Sequence, residues 1–188
     1  MDDEMVDILD EKGNPTGEAK FKREAHAKGL WHRAVHIWIY NSKGEVLLQK
    51  RAKYKKFYAG CWDLSAAGHV SAGQSFDQAA EREVFEELGL KVINSRLKKI
   101  EIMPIRQDLT KPFLCNREFI QVYLMRWDGN AKNLRLQKEE VERVKFMRLG
   151  KYETEIKDPE KIKKYTPGKN YFLKIIGYIR EELKNCNA

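Results

Sequence analysis

Apolar and polar positions change period several times along the chain, and each change predicts an element. EMVDILD alternates partly between apolar and acidic residues before the turn-forming run GNPTG, so residues 4–10 are expected to form a short strand. KFKREAHAKGL reads as a short helical or irregular segment ending at Gly29. RAVHIWIYN, rich in β-branched and aromatic residues, predicts a strand, and EVLLQKR a second one paired with it across the turn NSKG. GCWDLSAAGH supplies another short strand. A helix follows from about Ser75 to Leu88 and stops at Gly89, a residue type suited to a left-handed terminus. IEIMPI, REFIQVYLMRW and VERVKFMRL read as further strands. NYFLKIIGYIREELK carries Phe172, Ile175, Ile176 and Ile179 at helical spacing and predicts a C-terminal amphipathic helix over residues 169–185. No repeat, low-complexity tract or linker interrupts the order. The expectation is one α/β domain over residues 1–188 with a short N-terminal strand extension.

Composition narrows this picture. The chain has 188 residues, 42% hydrophobic and 34% charged, enough to bury a core. No apolar run approaches the roughly 18 residues of a membrane span, and the acidic start MDDEMVDILD lacks the features of a secretory signal. The expected compartment is the cytoplasm, with no membrane partner. Cys61, Cys115 and Cys186 form no paired spacing and are read as reduced thiols. The net charge of +8 is spread along the chain, which favours a solvated surface over nucleic-acid binding. Its densest patch is Lys50, Arg51, Lys53, Lys55 and Lys56, a position that favours phosphate binding.

Candidate chemistry centres on GHVSAGQSFDQAAEREVFEELGL, residues 68–90. At roughly 100° per residue, Glu83, Glu86 and Glu87 fall within about a third of a helix's circumference. Like charges at one-turn spacing repel, so a hard divalent cation held by oxygen ligands is one reason to gather them; a solvated acidic face is the other.

The surrounding residues add weight to the cation. Gly68 is followed after five residues by Gln74, then after seven by Arg82-Glu83-Val84-Phe85-Glu86-Glu87-Leu88-Gly89-Leu90. This resembles the Nudix box, G-x5-E-x7-R-E-U-x-E-E-x-G-U with U aliphatic, and departs from it only where Gln74 replaces the first glutamate. The resemblance implies the Nudix fold, a mixed β-sheet sandwiched between α-helices. It also implies a metal-binding pyrophosphohydrolase of small diphosphate-containing substrates, with Mg2+ or Mn2+ held by Glu83, Glu86, Glu87 and the Gly68 carbonyl. Arg82 is expected to orient Glu83. Glutamate at position 74 generally supports the motif's arginine in such proteins, so Gln74 is expected to orient Arg82 with a weaker hold.

Other residues resemble the isopentenyl-diphosphate isomerase branch of this superfamily: the early Asp7 strand with GNPTG, AHAKGLWHRA, LLQKR, GCWDLSAAGH and NREF. In that isomerase three histidines and two glutamates hold a metal. His26, His32 and His69 match the histidines and Glu118 the second glutamate, which implies a second metal site; isolated histidines that merely pack or hydrogen bond are the alternative. Arg51 and Lys55 match diphosphate-contacting positions, and Lys50 adjoins them. Ala67 stands where the isomerase has its cysteine, and Asn116 where it has another glutamate. Alanine can neither donate nor accept the proton that moving a double bond requires.

The leading expectation is a hydrolase of a nucleoside diphosphate linked to X or a similar small diphosphate. An isoprenoid-diphosphate hydrolase or isomerase-like protein, or an inactive diphosphate-binding scaffold, is the alternative. A monomer or homodimer is expected. Trp31, Trp38 and Trp62 are read as core aromatics rather than substrate platforms.

Overall fold

The computed structural model describes residues 4–92, 96–110 and 113–185. Its first elements are β1 (Met5–Leu9), β2 (Pro15–Phe21), α1 (Lys22–Lys28), β3 (His32–Tyr40), β4 (Glu45–Arg51), β5 (Trp62–Asp63), β6 (Ala66–His69) and α2 (Phe76–Leu88). They are followed by β7 (Lys98–Thr110), β8 (Phe113–Arg126), β9 (Val141–Arg148), α3 (Leu149–Lys157) and α4 (Lys169–Asn185). Hydrogen bonding joins strands in the order β5-β4-β3-β8-β7, with β6 paired to β3 and β9 to β4. The expected α/β chain with a mixed sheet is what these residues form. Contacts divide it into two compact units.

The first unit comprises residues up to Ile37, Ala67–Phe85 and Lys91–Tyr123. It opens on an antiparallel hairpin, β1 with β2, in which Met5 faces Phe21 and Val6 faces Lys20. Asp10 shapes the turn by accepting from the amides of Lys12 and Asn14, both at 2.8 Å. The sequence reading placed all of GNPTG in that turn. Pro15, Thr16 and Gly17 instead begin β2, with Pro15 at the first strand position, where its missing N–H is tolerated. Almost every β2 residue is exposed, so no alternation of apolar and polar positions marked it. Val6, Ile8 and Ala25 form a small buried cluster with Leu30 against it, and α1 ends at Gly29 in the left-handed region, φ +62°. β1 is also tied to the loop after β6: Val6 bridges Ser71, and the Ala72 amide donates to the Met5 carbonyl at 2.8 Å. Trp31 is buried and its ring lies 4.7 Å from that of Phe119.

The second unit comprises Trp38–Ala66, Glu86–Leu90 and residues from Leu124 onward. Here the NSKG turn behaves as its residues suggest. Asn41 Oδ1 accepts from the amides of Lys43 and Glu45 at 3.0 Å, Gly44 takes φ +70°, and Tyr40 faces Val46 across the hairpin. β4 pairs antiparallel with β9 over its whole length, from Glu45 opposite Arg148 to Arg51 opposite Val141. Trp38, Tyr152, Phe172, Ile175, Ile176 and Ile179 form the core beneath α3 and α4, and the Trp38 Nε1–H donates to the Tyr171 hydroxyl at 2.9 Å. Each such large side chain contributes about 1.5–3 kcal/mol by leaving water. α4 occupies the span expected of it; α3 is an addition that the sequence reading lacked. Trp62 is 9% exposed, with Lys145 Nζ 3.7 Å above its ring. Among the described residues Cys61 and Cys115 are free thiols, and Cys186 lies outside them.

Candidate active site

Helix α2 begins with a reciprocal cap. The Gln78 amide donates to Ser75 Oγ at 3.2 Å while the Ser75 amide donates to Gln78 Oε1 at 2.9 Å, which satisfies two otherwise orphaned groups. At its other end Gly89 adopts φ +70°, and the carbonyls of Leu88 and Glu87 accept from the amides of Arg135 and Gln137 at 3.1 Å. A side chain at Gly89 would meet Arg135.

Within the first unit, Gly68 and Glu83 are in direct contact. A Cβ placed on Gly68 would overlap the Glu83 carboxyl group, so only glycine lets this carboxylate lie against the β6 backbone. Glu83 is 8% exposed and its Oε1 stands 2.7 Å from Arg82 Nη1. Arg82 Nη2 donates to the His69 carbonyl at 2.7 Å and lies 3.5 Å from Glu4 Oε1. Arg82 therefore orients Glu83 through a charge-assisted bond. Gln74 does not take the part expected of it: its Oε1 is buried with no hydrogen-bond partner among the described residues.

Within the second unit, Glu87 is 5% exposed and its Oε2 accepts from Gln49 Nε2 at 3.3 Å, whereas Glu86 is exposed. The cations read as phosphate ligands all have protein partners. Lys50 pairs with Glu142 at 3.1 Å, Lys55 with Glu140, and Arg51 with Asp63 at 3.1 Å and the Phe57 carbonyl at 3.2 Å. The two lysine pairs are partly exposed, so each is worth only about 0–1 kcal/mol.

The histidines converge, also within the first unit. His26 comes from α1, His32 from the start of β3, His69 from the end of β6 and Glu118 from β8, with one ligand atom from each inside 4.8 Å of the others. His26 Nε2 is 3.2 Å from His32 Nε2, and Glu118 Oε1 is 3.1 Å from His69 Nε2 and 3.6 Å from His32 Nε2. His32 Nδ1 sits 2.8 Å from the Leu30 carbonyl, which can only accept, so Nδ1 carries a proton. Burial, aided by the neighbouring imidazoles, lowers the His26 pKa to about 4, and burial also lowers that of His69. Burial works to raise the Glu118 pKa, but hydrogen bonds from His32 and His69 outweigh it and hold the carboxyl well below its usual range. Near neutral pH His26 and His69 are therefore neutral beside an ionised Glu118, protonation states that metal binding requires.

Asn116, which stands where the isomerase pattern has a glutamate, has a buried Oδ1 without a hydrogen-bond partner among the described residues. Two residues beside the carboxylates escaped the sequence reading. Gln49 is one polar position inside an apolar strand, a signal too common to single out. Glu4 sits at the head of β1 and offers only its charge, with no spacing to connect it to Arg82.

The chain is similar to known proteins. The chain is 37% identical over 155 residues to Nudix hydrolase 3 of Arabidopsis thaliana, covering 81% of this chain but 20% of that protein, so it spans about a fifth of that relative's length. It is 36% identical over 126 residues to isopentenyl-diphosphate Delta-isomerase 2 of Photorhabdus laumondii, covering 67% of this chain and 68% of the isomerase. In fold it is similar to DR0079 from Deinococcus radiodurans, with a TM-score of 0.65 at 17% identity over 95% of this chain and 98% of the other. The NUDIX domain model matches residues 30–168, which contain the glycine, arginine and three glutamates of α2 and its preceding loop. By that match this chain belongs to the Nudix hydrolase family.

Proposed function

We propose that the chain is a metal-dependent hydrolase of a small diphosphate, cleaving the phosphoanhydride of a nucleoside diphosphate linked to X or a related compound. The observation that carries this reading is Glu83 pressed against the Gly68 backbone and held there by Arg82. A buried carboxylate fixed in this way suits a ligand, because its orientation is set before any cation arrives. Glu86 and Glu87 follow one turn later on the same helix, and the three all-oxygen donors suit Mg2+, with Mn2+ as the alternative. When bound, such an ion would neutralise phosphate oxygens and lower the pKa of a coordinated water.

The chain's own residues supply the rest. Arg82 fixes the angle of Glu83, and Gln49 donates to Glu87. Lys50, Arg51 and Lys55 are the cations offered to the substrate's phosphates. A water oxygen forms the new bond to phosphorus and the bridging P–O bond breaks with its electron pair on the departing phosphate. The water's proton passes to a carboxylate of the glutamate set. The reading takes residues 1–188 as one functional domain, since the matched segment draws on both units.

The His26, His32, His69 and Glu118 cluster supports a second reading, in which the ligand is an isoprenoid diphosphate and a divalent transition metal sits among the imidazoles. Ala67 argues against isomerisation, so this variant is also written as a hydrolase or a binding protein. The test is a thermal-shift titration with Mg2+ against nucleotide sugars, dinucleotides, CoA, oxidised nucleotides and isoprenoid diphosphates, followed by phosphate release. Mg2+-dependent release from a nucleotide supports the first reading and release from an isoprenoid diphosphate the second. Stabilisation by a ligand without release points to a binding scaffold.

A further inference from the structure

We propose that Glu4 is a positioning residue that supplies, from outside the box, the carboxylate holding Arg82, and through Arg82 the Glu83 side chain. The proposal rests on the hydrolase reading for what Glu83 does, but the contact itself does not. Arg82 reaches two carboxylates, Glu83 at 2.7 Å and Glu4 at 3.5 Å, besides the His69 carbonyl at 2.7 Å. If Glu83 shares its charge with a bound cation, its hold on the guanidinium weakens. A second carboxylate that is not shared with that bound ion then keeps Arg82 in place.

Glu4 is built for that task. Its Oε1 accepts from Ser71 Oγ at 2.5 Å, its Oε2 lies 3.4 Å from Lys22 Nζ, and its carbonyl accepts from the Lys22 amide at 2.7 Å. The strand it heads is fastened to the same loop by the Val6–Ser71 bridge, the Ala72 to Met5 bond and the Gly73 amide donating to Asp7 Oδ2 at 3.0 Å. Burial works to raise its pKa, but the Ser71 hydrogen bond and the nearby Lys22 charge prevail and keep the carboxyl ionised. Gln74, where the box pattern has its glutamate, belongs to the turn that Ser71 opens, since its amide donates to the Ser71 carbonyl at 2.9 Å. Its side-chain oxygen is buried without a hydrogen-bond partner among the described residues. The negative charge absent at position 74 is present at position 4.

Two measurements test this. In metal-free urea unfolding, Glu4→Gln, Arg82→Lys and the double variant form a cycle; Arg82→Gln replaces the lysine variant if that one does not fold. Coupling that changes the unfolding constant by at least about threefold is expected, and strictly additive effects overturn the contact whatever the protein hydrolyses. In steady-state assays with a diphosphate from the panel above, Glu4→Gln should raise the Mg2+ concentration for half-maximal rate by about tenfold while saturating kcat changes less. Adding Gln74→Glu to Glu4→Gln should bring the Mg2+ requirement back to within about twofold of the unsubstituted chain, and Gln74→Glu alone should change it little. An unchanged Mg2+ dependence in Glu4→Gln overturns the proposal, as does an equal effect of Gln74→Glu in both backgrounds. If no diphosphate is turned over, the hydrolase reading fails while the unfolding cycle still decides the role of Glu4 toward Arg82.

Discussion

Gly68→Ala adds a single methyl group where the Glu83 carboxyl now lies. Two responses are open to the protein. Overpacking the site costs about 1–3 kcal/mol, and swinging Glu83 away loses a charge-assisted bond to Arg82 worth about 1.5–3 kcal/mol. These are alternatives, so the expected loss is about 2 kcal/mol, roughly thirtyfold in the folding equilibrium. For a chain of this size that lowers Tm by about 4–8 °C. Displacing the carboxylate by even about 1 Å should reduce kcat about a hundredfold, which is a larger effect than the stability loss alone produces in a protein that remains folded. The assay is urea unfolding of Gly68→Ala alone and in a Glu83→Ala background, where the overlap no longer exists. In that background the added methyl should cost less than about 0.5 kcal/mol. An equal cost in both backgrounds would refute the argument that Gly68 exists to admit Glu83.

The remaining expectations concern the second cluster and the isomerase resemblance. His32→Ala should abolish stabilisation by Zn2+, worth about 2.7 kcal/mol at a hundredfold excess over Kd, and leave the Mg2+ response in place; thermal shift with each ion reads both. The His26 pKa is lowered from 6.5 to about 4, so the unfolded chain binds the proton first. Metal-free stability should thus be full above pH 6.5 and decline as pH falls toward 4, with a shallower decline in His26→Gln. No solvent proton should exchange into the allylic product of isopentenyl diphosphate, and Ala67→Cys alone should not create that exchange because Asn116 also departs from the pattern. Measurable exchange above the buffer blank would contradict this.

Much of the candidate site was legible because its motif spacing is local. Arg82, Glu83, Glu86 and Glu87 lie on one helix whose periodicity fixes their faces, Gly68 lies in the short strand just before it, and the hairpin at Asn41–Gly44 announced itself through turn chemistry. Phe172, Ile175, Ile176 and Ile179 marked α4 because each is buried. β2 was missed for the opposite reason: a strand exposed on both faces carries no alternation, and Pro15 and Gly17 imitate a turn. α3 had a usable signal in Leu149, Tyr152 and Ile156, all buried at helical spacing. β7 and β8 run longer than their apolar segments and take in polar residues such as Arg106 and Gln107. The histidine cluster came only through resemblance, because α1, β3, β6 and β8 bring together residues far apart in sequence. The tie between Glu4 and Arg82 was illegible, joining residues 78 positions apart with no shared motif.

The three glutamates of α2 are proposed to serve a metal used in phosphoanhydride hydrolysis. The most direct test is phosphate release by the unsubstituted protein, Glu86→Gln and Glu87→Gln side by side across a Mg2+ titration, with metal-free stability measured on the same samples. Each substitution removes one of several mutually repelling charges, so stability without metal should hold or rise by a few tenths of a kcal/mol while turnover nearly vanishes. Near-normal turnover by both variants at saturating Mg2+ would contradict the account.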